Sequence, residues 1–446
     1  MRSDGFARPR RPLARSEAAE AVTYRATRVP VDLATTLIPD AYRSTAFFEE
    51  ERERVFGRSW VCVGYTSQVD APGDTFLATV AGQSLIITRD RAGRLHAFYN
   101  VCRHRGSVLC TEDGRRDVIR CPYHAWGYAL DGRCLGTPYF KGLDVPEAQR
   151  AAFDTSGAQG FRKEDYGLLA VRVEMFGCLV FVNLDPDAPP LMEWLGDLPQ
   201  RLAGFPLAAL RLAGRRRYEV RANWKLIAEN FVEYYHLPWV HPELCTVSGF
   251  DDHHRFQGPG MYTGMVTWPL SQAPATVDLE LPPMPGLVGE PARTGYWILV
   301  FPSVALFLLP NHLFTLLLQP EGPTLTVERA DLLVHPSALK APGAEAKVAA
   351  IYDFWAKVND QDIRIVEGVQ QGLQSRAYPG GRMCFRFEEP VHRLQNMVID
   401  LMLGERRMPP GDGEEALPQL WTDPGAGPVT PPESAPPDKS RLTSGS

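Results

Sequence analysis

Two short cysteine–histidine motifs constrain this chain more than any other feature of its sequence. Cys102-Arg-His104 and Cys121-Pro-Tyr-His124 are separated by sixteen residues, and each motif offers one thiolate and one imidazole. Two such loops can hold a binuclear [2Fe–2S] cluster of the Rieske type, with both cysteines on one iron and both histidines on the other. A structural zinc site uses the same donors, but it usually pairs Cys with Cys and His with His, whereas here the two types alternate.

The loops also carry a wider resemblance. The strings NVCRHRGSVLC and RCPYHAWGYALDGR, within residues 100–133, resemble the α-subunits of Rieske non-haem iron oxygenases. That family uses the paired Cys and His positions as cluster ligands. The resemblance therefore implies that Cys102, His104, Cys121 and His124 bind a [2Fe–2S] Rieske cluster.

A second group of metal donors lies in the segment NWKLIAENFVEYYHLPWVH, residues 223–241. His236 and His241 are five residues apart, and Glu233 precedes His236 by three, so Glu233 and His236 would share one face of a helix. Pro238 disfavours a regular helix between the histidines, and a distorted turn there could bring His241 back toward His236. Two histidines and one carboxylate would form the triad of non-haem Fe(II) oxygenases, which leaves positions open for O2 and substrate.

The resemblance supplies the third ligand of this mononuclear iron. The segment NDQDIRIVEGVQQGLQSRAY, residues 359–378, is similar to the part of the family that carries the carboxylate, which makes Asp362 the expected ligand and Asp360 the alternative. In the family, the acid at the position of Glu233 connects the mononuclear iron to the Rieske cluster of a neighbouring subunit, through the second cluster histidine, here His124. The resemblance therefore also implies a head-to-tail ring of chains, usually a homotrimer.

Composition narrows the setting of these sites. The formal net charge of −6 gives no basic surplus for nucleic acid, and no apolar run reaches the roughly 18 residues that a membrane span needs. The basic N-terminus has no apolar stretch after it and is not a secretory signal. Eight scattered cysteines favour free thiols or metal ligands in a reducing compartment. We therefore expect a cytoplasmic protein with no nucleic-acid partner and no membrane partner.

The source of electrons follows from a missing motif. The sequence has no G-x-G-x-x-G at a strand–helix turn, so it offers no NAD or flavin site. Electrons would come from a separate NAD(P)H-dependent reductase, directly or through a ferredoxin. The expected substrates are O2 and a small molecule that is hydroxylated or oxidatively N-demethylated.

The expected fold is α+β, with a small β-sandwich Rieske domain and a larger helix-grip (START-like) catalytic domain built on an antiparallel sheet. We expect five consecutive segments: a poorly ordered segment 1–40, an N-terminal helix 41–57 on the catalytic domain, the Rieske domain 58–165, the catalytic iron domain 166–408 and a disordered tail 409–446.

The substrate is indicated by the branch of the family. The motif ENFVEYYH and the Glu at position 233 look closest to oxygenases of quaternary ammonium or N-methyl compounds, such as glycine betaine, carnitine and stachydrine. Several aromatic residues are candidates for a cation–π cage, or else for ordinary core packing: Tyr262, Trp268, Tyr296, Trp297 and Phe307.

Two other functions stay open at this point. An aromatic-ring hydroxylating dioxygenase would use the same residue types in an apolar pocket. A non-catalytic Rieske electron-transfer protein would need only the first metal site. His253 and His254 follow two aspartates and are interpreted as part of a solvated loop.

Overall fold

The structure, a computed structural model, describes residues 15–407 except 143–145, 153–155, 247, 269, 271–280 and 406. The expected disordered tail, 409–446, and residues 1–14 therefore lie outside the described residues. The remainder forms two regions, and each is built on a seven-stranded antiparallel sheet. The expected α+β class, with a Rieske domain and a catalytic domain, is confirmed.

The first region holds ten strands. They are β1 (Val61–Tyr65), β2 (Asp74–Val80), β3 (Gln83–Arg89), β4 (Leu95–Tyr99), β5 (Gly114–Arg115), β6 (Ile119–Arg120), β7 (Gly127–Tyr128), β8 (Cys134–Gly136), β9 (Ala170–Phe176) and β10 (Leu179–Asn183). The large sheet has the order β1-β10-β9-β4-β3-β2-β5, and β6-β7-β8 form a small second sheet. Both cluster motifs lie on loops beside this small sheet.

The expected boundary at 165/166 is wrong in one respect. Strands β9 and β10, which we assigned to the catalytic domain, pair with β4 and β1 of the first sheet. All five residues of β10 are buried, which is typical of a strand that is covered on both faces. The large sheet of the first region therefore includes residues up to Asn183.

The second region contains the larger sheet, whose strand order is β11-β17-β16-β15-β14-β13-β12. Its strands are β11 (Arg211–Val220), β12 (His253–Arg255), β13 (Tyr262–Thr267), β14 (Gly295–Val300), β15 (Val304–Leu309), β16 (His312–Gly322) and β17 (Leu325–Val334). Alternate side chains of β17 face opposite ways. Glu328 meets a helix, and Arg329 donates a hydrogen bond to the Val63 carbonyl of β1.

Eight α-helices complete the described part of the chain. They are α1 (Asp40–Arg43), α2 (Thr45–Arg54), α3 (Leu191–Leu195), α4 (Leu198–Arg201), α5 (Trp224–Val232), α6 (Leu237–Val240), α7 (Ala344–Gly372) and α8 (Glu389–Leu403). The N-terminal helix expected over 41–57 is thus divided into α1 and α2 at Ser44, whose side chain caps α2. Helix α5 packs on α7, α8 and the large sheet, so it lies in the interior of the catalytic region.

The segment before α1 also differs from its expectation. We expected residues 1–40 to be poorly ordered because they are rich in Arg, Ala and Pro. Yet Tyr24 is buried and donates a hydrogen bond to the Ala18 carbonyl. The Thr27 carbonyl lies 2.8 Å from His392 Nε2 on α8, and Thr35 bridges to Arg382. Residues 15–40 are therefore tied to α8 and to the segment before it.

Candidate metal centres and active-site pocket

Two tight turns present the donors of the first metal site. The Cys102 carbonyl accepts a hydrogen bond from Gly106 N at 3.0 Å, and the Cys121 carbonyl accepts one from Ala125 N at 3.1 Å. Gly106 has φ +71°, a left-handed conformation that glycine adopts without a steric penalty. The two turns bring the rings of His104 and His124 to a centroid distance of 4.8 Å.

The unpaired donor atoms of this site fit a Rieske cluster. Nδ1 of both His104 and His124 is buried, with no hydrogen-bond partner among the described residues. Burial and the charge of His124 lower the pKa of His104, which favours the neutral imidazole that a metal needs. Cys102 and Cys121 are buried as well. Two thiols and two unpaired imidazole nitrogens on facing loops are the donor set that the [2Fe–2S] cluster requires.

Aromatic rings cover the inner side of this site. Trp126 stacks on His104 with a centroid distance of 4.9 Å, and Phe140 meets the Trp126 ring edge-on. The Tyr128 hydroxyl lies 3.3 Å from Cys102 Sγ and accepts a hydrogen bond from Arg103 N. On the outer side, Tyr123 is 57% exposed, so the second loop faces solvent.

The second metal site brings together three donors from two distant parts of the chain. One ligand atom each from His236, His241 and Asp362 lies within 4.8 Å of the others. Asp362 Oδ1 is 2.8 Å from His241 Nε2 and 3.6 Å from His236 Nε2. Asp360, the alternative ligand, is exposed on α7 and lies outside this group. Two imidazoles and one carboxylate match the donor set of a mononuclear iron that keeps open positions.

The chain between the two histidines departs from a regular helix. The sequence places Glu233 and His236 on one face of a helix, but α5 ends at Val232 and Glu233 is extended, with φ −118° and ψ 160°. The short helix α6 then begins at Leu237, with Pro238 in its first turn. This bend brings the rings of His236 and His241 to a centroid distance of 5.2 Å. Glu233 contacts His236 across the bend rather than along a helix face.

The outer nitrogen of each histidine has a side-chain partner. His236 Nδ1 donates to the carboxylate of Glu233, and His241 Nδ1 donates to Gln361 Oε1 at 2.7 Å. Burial opposes protonation of His236, but the hydrogen bond and charge of Glu233 outweigh it and raise its pKa. These bonds turn both Nε2 atoms toward Asp362, as partners of metal-bound histidines commonly do. Gln361 was not predicted, since its role depends on which face of α7 meets His241.

A pocket opens beside this site, and strand alternation decides which aromatic residues reach it. Trp297 and Phe307 are cross-strand partners on β14 and β15, and both line the pocket. Tyr296 lies on the opposite face of β14 and packs against Phe205. Of the five aromatic candidates, only Trp297 and Phe307 line the described pocket, and Tyr262 and Trp268 do not.

Other polar residues that line the pocket were missed or misinterpreted. His253, expected in a solvated loop, is 5% exposed and lies 3.1 Å from the Ser248 hydroxyl, and burial lowers its pKa to about 4. Glu328 and Asn359 were not predicted to belong to the site. Burial raises the pKa of Glu328 to about 7, although a hydrogen bond from Asn359 opposes the shift.

Comparison with known proteins identifies two domains in this chain. Residues 59–147 match the model of the Rieske [2Fe-2S] domain, and residues 207–404 match the catalytic domain of the ring hydroxylating alpha subunit. The carnitine monooxygenase oxygenase subunit of Escherichia coli (strain K12) is 30% identical over 348 residues, which cover 76% of this chain and 84% of that protein. The chain belongs to the Rieske non-haem iron oxygenases.

Two further proteins are similar to this Rieske oxygenase, one in sequence and one in structure. The glycine betaine monooxygenase oxygenase subunit of Pseudomonas aeruginosa (strain UCBPP-PA14) is 28% identical over 397 residues, which cover 81% of this chain and 88% of that protein. The solved structure of a quaternary ammonium Rieske monooxygenase superposes with a TM-score of 0.71 and 26% identity, over 83% of this chain and 96% of the other.

Family membership establishes the cofactors and the class of reaction. The chain is an oxygenase component with a Rieske [2Fe–2S] cluster and a mononuclear iron. Because residues 207–404 match a catalytic domain, the alternative of a Rieske electron carrier is wrong. Across the described residues, the helices lack the combined length and apolar character that crossing a bilayer requires.

Proposed function

We propose that this oxygenase hydroxylates or oxidatively dealkylates a small quaternary ammonium or N-methyl compound. The observation that carries the proposal is the shared function of its relatives, which act on carnitine and glycine betaine and resemble this chain over most of their length. The aromatic pair Trp297 and Phe307 beside the iron donors supports it, because aromatic faces attract ammonium groups.

The proposed ligand assignment follows the two donor sets. Cys102, His104, Cys121 and His124 would hold the Rieske cluster, and His236, His241 and Asp362 the mononuclear iron. When bound, the cluster supplies electrons and the mononuclear iron activates O2.

The protein's own groups hold and orient these sites. Glu233 accepts a hydrogen bond from the Nδ1–H of His236, and Gln361 accepts one from the Nδ1–H of His241. Because the proton is then on Nδ1, the Nε2 lone pair of each histidine stays available for the metal. The apolar residues of the pocket, among them Leu237, Leu316 and Val366, exclude water from the reacting atoms.

We further propose that the working unit is a homotrimer in which Glu233 of one chain meets His124 of the next. His124 lies on an outward-facing loop beside the exposed Tyr123, and Tyr235 and Trp239 are exposed beside Glu233. Aromatic residues exposed around both sites are suitable for a subunit interface. Inter-subunit electron transfer is described for the quaternary ammonium relative of solved structure.

The electrons would come from a separate NAD(P)H-dependent reductase, directly or through a ferredoxin. We place this system in the cytoplasm. All eight cysteines are unpaired, which suits a reducing compartment.

The test is a reductase-coupled screen of the purified oxygenase over a mixed panel of carnitine, glycine betaine, choline, stachydrine and simple aromatic compounds. Hydroxylation of a carbon bonded to nitrogen gives a product that breaks into an amine and an aldehyde. We expect formaldehyde or trimethylamine from one of the ammonium compounds. A ring diol from an aromatic compound, with no aldehyde from any ammonium compound, would favour the aromatic-ring dioxygenase instead.

A further inference from the structure

One carboxylate of the pocket has no part in holding the metals. Glu328 lies on β17, faces α7 and is 1% exposed. The group of mutually close metal donors consists of His236, His241 and Asp362, so among the described residues Glu328 stands outside it. It nevertheless lines the same pocket.

The two oxygens of this carboxylate differ in their surroundings. Oε1 accepts a hydrogen bond from Asn359 Nδ2 at 2.5 Å. Oε2 is buried and has no hydrogen-bond partner among the described residues. A buried carboxylate with one oxygen unpaired is costly unless a positive charge or a donor comes close to it. Because Glu328 lines the pocket, a group bound there is one source of the missing partner.

Neighbouring residues fit a cation better than a neutral hydrogen-bond donor. Trp297 and Phe307 offer aromatic faces in the same pocket, and Met265 is the cross-strand partner of Trp297 on its other side. Aromatic faces and a carboxylate both attract a diffuse positive charge. A quaternary ammonium carries that charge on its methyl groups and needs no hydrogen bond.

We infer that Glu328 is the specificity-determining residue that binds the cationic group of the substrate. The inference rests on the proposed function and deepens it, since it names the group that separates cationic substrates from neutral ones of the same shape. Asn359 is the positioning residue that fixes the orientation of the Glu328 carboxylate.

The test compares one variant that loses the negative charge of Glu328 with one that keeps it. Glu328→Gln keeps an oxygen for Asn359 and removes the charge, whereas Glu328→Asp keeps the charge. Glu219→Gln, an exposed acid on the neighbouring strand β11, is the matched control. The retained visible Rieske spectrum and the thermal midpoint show that each metal-loaded variant is folded.

Binding is measured by calorimetry with carnitine, glycine betaine and choline, and with the carbon isostere of each, in which a quaternary carbon replaces the nitrogen. We expect Glu328→Gln to raise the dissociation constant of the cation roughly tenfold or more, with less than about a twofold change for the isostere. Glu328→Asp should retain the preference for the cation, and Glu219→Gln should behave as the wild type.

Three results would overturn the inference. They are an unchanged cation affinity in Glu328→Gln, an equal loss for cation and isostere, or an equal loss in the Gln and Asp variants. If the wild type neither binds nor oxidises any ammonium compound of the screening panel, the proposed function itself is wrong, and the inference is wrong with it. If the wild type oxidises a cation and Glu328→Gln binds it equally well, only the inference is wrong.

Discussion

The two metal sites are held in place by different means. The cluster donors come from two loops of one small region, and the outer loop faces solvent through Tyr123. Two of the iron donors, His241 and Asp362, are 121 residues apart in the chain, and His241 is 2% exposed. The first site is built by local turns, and the second by the packing of α5, α6 and α7.

The histidines show the same contrast at the level of single atoms. The Nδ1 atoms of His104 and His124 have no partner among the described residues, while those of His236 and His241 are bonded to Glu233 and Gln361. A site whose buried donors lack protein partners depends on its metal for stability. A site whose donors are already oriented by the protein can keep its shape when the metal is lost.

The largest expected effect is the loss of turnover when a metal ligand of either site is replaced. His236→Ala should reduce turnover to background and lower the iron content from about three to about two per chain, with the Rieske visible and EPR spectra unchanged. Cys121→Ser should also abolish turnover, but it should remove the Rieske spectra and lower the thermal midpoint more than His236→Ala does. Iron analysis, EPR and calorimetry check both variants. Retained turnover in His236→Ala would contradict the iron-site assignment.

The next largest effect is expected from Glu233, the residue that we propose connects the two metal sites. Glu233→Gln keeps the size of the side chain but loses the negative charge that holds His236 Nδ1–H. We expect turnover to fall roughly 10–100-fold, with both metals retained. A stopped-flow measurement should show that the reductase still reduces the cluster at the wild-type rate. A normal rate of turnover would mean that Glu233 neither orients His236 nor takes part in electron transfer.

Much of the first site could be predicted from the sequence, and less of the second. Turns that carry cluster donors are local, so spacing alone indicates Cys102, His104, Cys121 and His124. Asp362 required family resemblance, because no local pattern relates it to the histidines that flank α6. Gln361 and Glu328 could not be predicted at all. Their roles depend on how α7 lies across β17.

The same reason explains the errors in the fold. Strands β9 and β10 follow the Rieske loops in sequence, yet only non-local pairing with β4 and β1 shows where they belong. Composition predicted that residues 1–40 lack order, whereas the described residues 15–40 are ordered by contacts with α8, more than 350 residues away. Tyr296 and Trp297 are adjacent, and only the strand's orientation decides which of them reaches the pocket.

A smaller effect is expected from the second histidine partner. Gln361→Leu removes the acceptor of His241 Nδ1–H and leaves the metal donors intact. We expect the affinity for mononuclear iron to fall roughly tenfold and the Rieske spectrum to be unchanged. Titration of the apo-iron site with Fe(II) under anaerobic conditions measures this change. Arg364→Leu, an exposed position one turn along α7, is the control, and an equal loss in both variants would contradict a specific role for Gln361.

A further expected effect concerns the dependence of stability on pH, and it has opposite signs in the two regions. Burial raises the pKa of Glu229 in the catalytic region to about 7, despite hydrogen bonds from Tyr42 and Gln395. Asp90 in the Rieske region is also buried, but hydrogen bonds from His96, Arg94 and Ala92 hold its pKa well below the usual range.

The signs follow from proton binding in the two states. The folded state keeps Glu229 protonated between pH 4.5 and about 7, so this contribution to stability is complete below 4.5 and is lost as pH rises to 7. Asp90 stabilises above its unfolded pKa of 3.8, and that contribution is lost as pH falls. We expect Glu229→Gln to match the wild type at pH 5 and to exceed it by up to about 3 kcal/mol at pH 8. Thermal midpoints measure the difference, and a constant difference between pH 5 and 8 would contradict it.

The central claim is that the cluster of one chain passes electrons to the mononuclear iron of the next. Complementation in mixed oligomers tests it most directly. Cys121→Ser chains keep the mononuclear iron, and His236→Ala chains keep the cluster, so each variant alone should be inactive. Co-expression with two different tags and double purification yields oligomers that contain both. In a three-membered ring, one junction of three then joins an intact cluster to an intact iron site, so turnover should recover to about one third of the wild-type value. Mixed oligomers that are as inactive as each parent, beside an active wild type prepared in the same way, would contradict electron transfer between chains.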